Sequence, residues 1–184
     1  MAIDPRWAAE EEGHSLLERF RGRTFYPVLA LALAGSFQIF GGRLRAIALF
    51  GSCARGEETP DSDVDLLLVV DPLPASLMSR IAEISPVAIE CRRLLPPGGS
   101  GSKATHSPQF VVLSQAELDG EPSLLLDLTE DAVIFYDAES TLGRVLGRLR
   151  GKLKSHGSQR VRPIGESPYW ILHPGAAPGE IGEL

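Results

Sequence analysis

The sequence predicts an α/β (α+β) fold: a small mixed sheet flanked by helices, with a C-terminal helix-strand extension. Three observations lead there. Short apolar runs of strand length, bounded by turn residues, recur at 46–50 (AIALF), 66–70 (LLLVV), 108–114 (PQFVVLS) and 132–136 (AVIFY). Longer segments of helical length alternate with them, strongly apolar at 25–40, mixed at 75–95 and amphipathic at 139–155. The chain has 184 residues, 43% hydrophobic and 23% charged, which is one domain's length and an ordinary globular composition.

In chain order, residues 1–23 read as a charged helix starting near Pro5 and docked on the surface through Trp7, Leu16, Leu17 and Phe20. Residues 25–40 form a strongly apolar helix whose natural stop is Gly41-Gly42. Arg19, Arg21 and Arg23 ahead of this run resemble the start of a secretory leader. Glu10 to Glu12 and Glu18 dilute that basic region, so a core helix is the preferred reading. Gly35 and Gln38 interrupt the run, leaving it short of the roughly 20 apolar residues of a membrane span. Residues 75–95 predict a helix broken or restarted near Pro86, because proline inside a helix removes a hydrogen bond and crowds the preceding turn.

Residues 96–102 (PPGGSGS) read as a flexible connector whose glycines match no phosphate-loop pattern. A short helix is expected at 123–130, a closing strand at 132–136, and a turn at Asp137. Leu142, Val145, Leu146, Leu149 and Leu153 repeat at helical spacing, and 167–174 is a last short strand with Trp170 docked on the core. The division expected is a main domain over 1–138 and an extension over 139–184 packed on it. Cys53 and Cys91 are too few for a disulfide framework and match no zinc spacing, so a reducing cytoplasm is expected and no membrane.

The chemistry concentrates in RAIALFGSCARGEETPDSDVDLLLVV, residues 45–70. An apolar strand stops at Gly51-Ser52, small residues that let a phosphate approach the backbone, and the following N–H groups open a helix whose positive end favours anions. A polar turn at 57–62 leads to a second strand opening at about Asp63. Side chains alternate along a strand, so Asp63 and Asp65 share a face with Cα atoms about 6.5 Å apart. Two parallel carboxylates repel unless a hard cation holds them, and Mg²⁺ with a triphosphate satisfies both halves of the motif. Cys53, inside the turn, reads as a small packing residue.

Gly51-Ser52, ten intervening residues, then Asp63-x-Asp65, with Ala54-Arg55-Gly56 after the serine, resembles the signature of the polymerase-β-like nucleotidyltransferase superfamily. Within it the pattern is most similar to the minimal nucleotidyltransferases. The resemblance implies Gly51 and Ser52 as nucleotide-binding residues, and Asp63 and Asp65 as catalytic ligands of Mg²⁺, two ions in all. It implies ATP or another nucleoside triphosphate as substrate, nucleoside monophosphate passing to an acceptor hydroxyl and pyrophosphate leaving. Many minimal nucleotidyltransferases are antitoxins that adenylylate a HEPN-type toxin partner, and aminoglycoside adenylyltransferases are a second related group. The part beyond Asp137 is longer than a bare minimal domain.

In that superfamily a third carboxylate usually projects from the later strand, but Phe110, Val111, Val112 and Leu113 offer none. Glu117, Asp119, Asp127 and Asp131 are near in sequence, and Asp127 has the most apolar flanks. A site lacking the third acid would keep nucleotide binding and lose transfer, so a non-catalytic nucleotide- or partner-binding module is the alternative.

Net charge is −6, with its basic part concentrated late. Residues 144–162 hold seven Lys and Arg and no Asp or Glu. Arg144, Arg148, Arg150, Lys152, Lys154, Arg160 and Arg162 would suit a triphosphate, an RNA backbone or an acidic partner. A solvated face balancing an acidic body is the plainer reading, and no interleaved aromatics support base stacking.

Overall fold

The computed structural model describes residues 10–95, 106–163 and 168–175. Its centre is a four-stranded mixed sheet of β1 (Leu44–Phe50), β2 (Val64–Val70), β3 (Pro108–Leu113) and β4 (Val133–Asp137). The strands lie in the order β3-β2-β1-β4, with β1 antiparallel to both β2 and β4, and β2 parallel to β3. Around it, in chain order, run α1 (Glu11–Glu18), α2 (Tyr26–Phe40), α3 (Gly51–Arg55), α4 (Leu77–Arg93), α5 (Gln115–Asp119), α6 (Leu124–Asp131) and α7 (Thr141–Ser155). A separate two-stranded sheet joins β5 (Gln159–Val161) to β6 (Tyr169–Ile171).

Helices cover both faces of the sheet, which is why β1 and β2 read as continuous apolar runs. On one face Ile47, Leu49, Leu66, Leu68 and Val70 pack with Leu29, Leu33 and Phe37 of α2 and with Ile84, Val87 and Cys91 of α4. The other face buries Ala46, Ala48, Leu67 and Val69 under Leu118, Leu125 and Leu128 and under the α7 stripe Leu142, Val145, Leu146, Leu149 and Leu153. The stripe read from the sequence is thus the inner face of α7. The 25–40 run is a core helix on the sheet, and among the described residues no helix is long and apolar enough to cross a membrane.

Several expectations shift. α4 is one continuous helix with Pro86 inside it, not a broken pair. Pro86 and Ala82, whose carbonyl would have accepted the missing N–H, lie on the exposed side where water can serve that carbonyl. One turn earlier the Ser85 hydroxyl donates to the Ile81 carbonyl at 2.6 Å. An additional short helix, α5, is closed by a reciprocal cap in which Ser114 Oγ accepts from Glu117 N and Glu117 takes the Ser114 N–H. The last short strand is present as β6, paired with β5, and Trp170 packs against the core as expected. The start of the first helix, with Pro5 and Trp7, the 96–102 connector and the final tail lie outside the described residues.

Candidate active site

Sheet and helix geometry bring the two halves of the motif into contact. β1 ends at Phe50, which stands opposite Asp65 in the β1–β2 ladder, and α3 begins at the next residue. Gly51 has φ +73°, and a Cβ built there would lie 2.5 Å from Asp65 Oδ2. Two independent constraints, a left-handed backbone and the carboxylate of the second strand, therefore demand glycine at this position.

Asp65 shares its side of β2 with Leu67 and Val69, the face under α6 and α7, so its carboxylate stands at the rim of an apolar layer. Burial, with the charge of Asp63 added, raises it from 3.8 to about 6, and the Arg55 charge offsets only part of the rise. Cys53 is fully buried beneath the turn and its thiol donates to the Asp63 carbonyl at 3.2 Å. Burial pushes that thiol up to about 12, leaving a packing residue without thiolate chemistry.

The loop between the halves is pinned from the N-terminal side. The Arg23 guanidinium pairs with Glu58 at 2.8 Å and would lie 3.1 Å from a Cβ on Gly56, which closes α3 at φ +72°. Buried His106 holds the approach to Asp63. Its Nδ1 lies 3.1 Å from the Ser62 carbonyl and its Nε2 2.7 Å from the Thr24 hydroxyl. A carbonyl only accepts, so Nδ1 carries a hydrogen in this contact.

On the neighbouring strand the parallel register sets Gln109 beside Asp65, and Phe110 beside Leu66. Gln109 is thus the β3 residue flanking the carboxylate on its own face, and its amide is neutral. Gln109 lies one residue ahead of the Phe110–Leu113 stretch in which the third carboxylate was expected. Alternation alone would have found Gln109 once the register was known.

Asp127 does not approach the pair. Its Oδ1 accepts from Trp170 Nε1 at 3.0 Å and meets Arg160 Nη2 at 3.0 Å, on the side of α6 that faces the β5–β6 sheet. The basic run is likewise largely matched within the chain. Arg148 and Lys152 pair with Glu121 at 3.0 and 2.6 Å, and Arg160 and Arg162 with Asp131 at 2.7 and 3.3 Å. Arg150 donates to the Thr129 carbonyl at 2.6 Å.

Two carboxylates at one strand end, one of them half-enclosed and with no direct cationic partner among the described residues, are a hard-oxygen donor pair. They fit Mg²⁺ that takes its other ligands from phosphate and water. Among the described residues no group of three or more His, Cys, Asp or Glu side chains gathers to hold a metal.

A family model described as a nucleotidyltransferase domain matches residues 32–146. Among solved structures, a toxin-antitoxin crystal structure with AMP-PNP aligns at TM-score 0.45 and 11% identity, covering 68% of this chain and 90% of that one. A tri-AMPylated Shewanella oneidensis HEPN toxin in complex with MNT antitoxin aligns at TM-score 0.40 and 12% identity, covering 70% and 92%. A search of curated proteins found no match. The family model spans more than half of the chain and includes the turn, both aspartates and all four strands of the main sheet, and on that basis the chain belongs to the nucleotidyltransferase domain family.

Proposed function

We propose that this chain moves a nucleoside monophosphate, AMP from ATP, onto a hydroxyl of an acceptor. Gly51 and Ser52 take the β and γ phosphates, and Asp63 and Asp65 are the Mg²⁺ ligands. The observation that carries the reading is the Asp65 carboxylate, half-enclosed, raised by burial and by Asp63, and set against the glycine of the turn. An acid so placed is unfavourable in the chain alone and is relieved by a cation arriving with substrate. Bound there, Mg²⁺ would neutralise phosphate charge and orient the reacting oxygens. Gly51 leaves room for a phosphate oxygen at the backbone, and the Ser52 hydroxyl and first α3 N–H groups donate to it. The rigid β1–β2 pair fixes turn and carboxylates relative to each other. The Gly-Ser to Asp-x-Asp spacing, similar to that of antitoxin nucleotidyltransferases, supports a hydroxyl on a HEPN-type partner protein as the acceptor.

One observation favours a second reading. Gln109 supplies a neutral amide where a third carboxylate would stand beside Asp65, which suits a module that binds Mg-nucleotide without transferring it. Thermal melts with Mg-ATP and transfer from α-labelled ATP separate the readings. Mg-ATP is expected to raise the melting temperature of the wild type but not of Asp63→Asn, with label passing to the partner. An equal response of Asp63→Asn sinks both readings. Binding without transfer selects the second, and Gln109→Asp is then expected to raise transfer by about tenfold or more.

A further inference from the structure

The family match ends at residue 146, inside α7, yet residues beyond it reach back to the site. The side chain of Arg160 on β5 is 3% exposed, and its guanidinium meets Asp131 Oδ2 at 2.7 Å, Asp127 Oδ1 at 3.0 Å and Glu130 Oε2 at 3.3 Å. Trp170, paired with it across the β5–β6 ladder, lies 5.9 Å beneath the guanidinium and donates its indole N–H to Asp127. Asp131, 4% exposed at the end of α6, receives a second guanidinium on the same oxygen: Arg55 Nη1 at 2.9 Å. Arg55 is the last residue of α3, the helix that Gly51 opens against Asp65.

A five-residue helix cannot hold its own geometry in water, so contacts at its two ends set its direction. At one end are Gly51 and Asp65, and at the other is Asp131, itself fixed by Arg160. Arg55 also sits close enough to Asp65 for its charge to act on that carboxylate. Its Nε is paired with the exposed Glu57 at 2.6 Å, so release from Asp131 frees the Nη1 side of the guanidinium, for which Asp65 would be an alternative partner, and an Arg–Asp pair there would compete with a metal ion.

We propose that Asp131 and Arg160 are positioning residues of the site: they hold the Arg55 guanidinium away from Asp65, which keeps the Gly51–Ser52 turn aligned and the carboxylate pair open to a Mg-nucleoside triphosphate. The inference rests on the Mg-nucleotide reading above. It makes the β5–β6 sheet, outside the span of the family match, a working part of the nucleotide site.

The test is calorimetric titration of the full-length chain with Mg-ATP, at a temperature where circular dichroism shows every variant folded. Asp131→Asn is expected to weaken binding by about tenfold, and adding Arg55→Gln to that variant to restore at least half of the loss on a logarithmic scale. A purely structural role lowers the melting temperature of Asp131→Asn and leaves its affinity alone. Affinity within twofold of wild type, or a double variant no better than Asp131→Asn, overturns the proposal. Should Asp131→Asn not fold, Arg160→Lys carries the test, since it keeps the charge and loses the planar fork. It is expected to bind about threefold more weakly, and unchanged affinity overturns the proposal. A wild type that binds no Mg-ATP overturns the nucleotide reading and this inference together. Wild-type binding with unaffected variants overturns the positioning role alone.

Discussion

Asp65 and Asp131 stand on the same side of the sheet, both partly or wholly enclosed, and they titrate in opposite directions. Burial raises Asp65 to about 6, and the charge of Asp63 adds to the rise more than that of Arg55 offsets it. Burial pushes Asp131 the same way, but hydrogen bonds from Arg160 and Arg55 outweigh it and hold that carboxyl below its ordinary value. The difference lies in who supplies the counter-charge. Asp131 is neutralised by three arginines of its own chain, which makes it a structural joint. Asp65 has no such guanidinium in direct contact among the described residues, which suits the cation-dependent site proposed above.

Removing each charge should therefore act with opposite sign on the stability of the free protein. Asp131→Asn leaves Arg160 enclosed with weaker partners, and urea denaturation should show a loss of about 3 kcal/mol. Gly51→Ala forces a left-handed backbone onto a residue with a Cβ and drives that Cβ into Asp65. A loss of about 2 kcal/mol is expected by the same measurement, together with loss of the Mg-ATP response.

Asp65→Asn is the smallest effect and the one of opposite sign. The folded protein binds the Asp65 proton more tightly than the unfolded chain, whose value is near 3.8. This group's contribution to stability is thus fully present below about pH 4 and lost as pH rises through about 6. Above that, Asp65→Asn should melt about 2–4 °C higher than wild type without metal, allowing for screening by solvent, and the gain should vanish near pH 4. An Asp65→Asn variant that melts lower than wild type at pH 7.5 would erase the contrast.

The two regions also differ in how much of them a linear reading could reach. The closeness of the Gly51-Ser52 turn to the Asp63–Asp65 strand start was legible because β1 and β2 are joined by one short connection and pair antiparallel, so residues near in sequence are near in space. The α7 stripe was legible for the same kind of reason, a local period of 3.6. Gln109 was not, because its place beside Asp65 depends on a parallel register reached through a long crossover. Asp127 attracted attention for its apolar flanks, yet those flanks describe how α6 packs on the sheet and say nothing about where the remaining side of the helix points. Four of the seven late basic residues, Arg148, Lys152, Arg160 and Arg162, read as a free surface in the sequence because their acidic partners come from distant parts of the chain.

The sequence by itself determined an α/β domain, the strand-turn-strand unit and the pair of acids at its end. These follow from local propensity, alternation and the singular steric freedom of glycine. Only the tertiary structure decided which buried acid is compensated and which is not. Charge compensation is a matter of distance in space, and Arg55, Asp131 and Arg160 meet across 76 and 29 residues of chain.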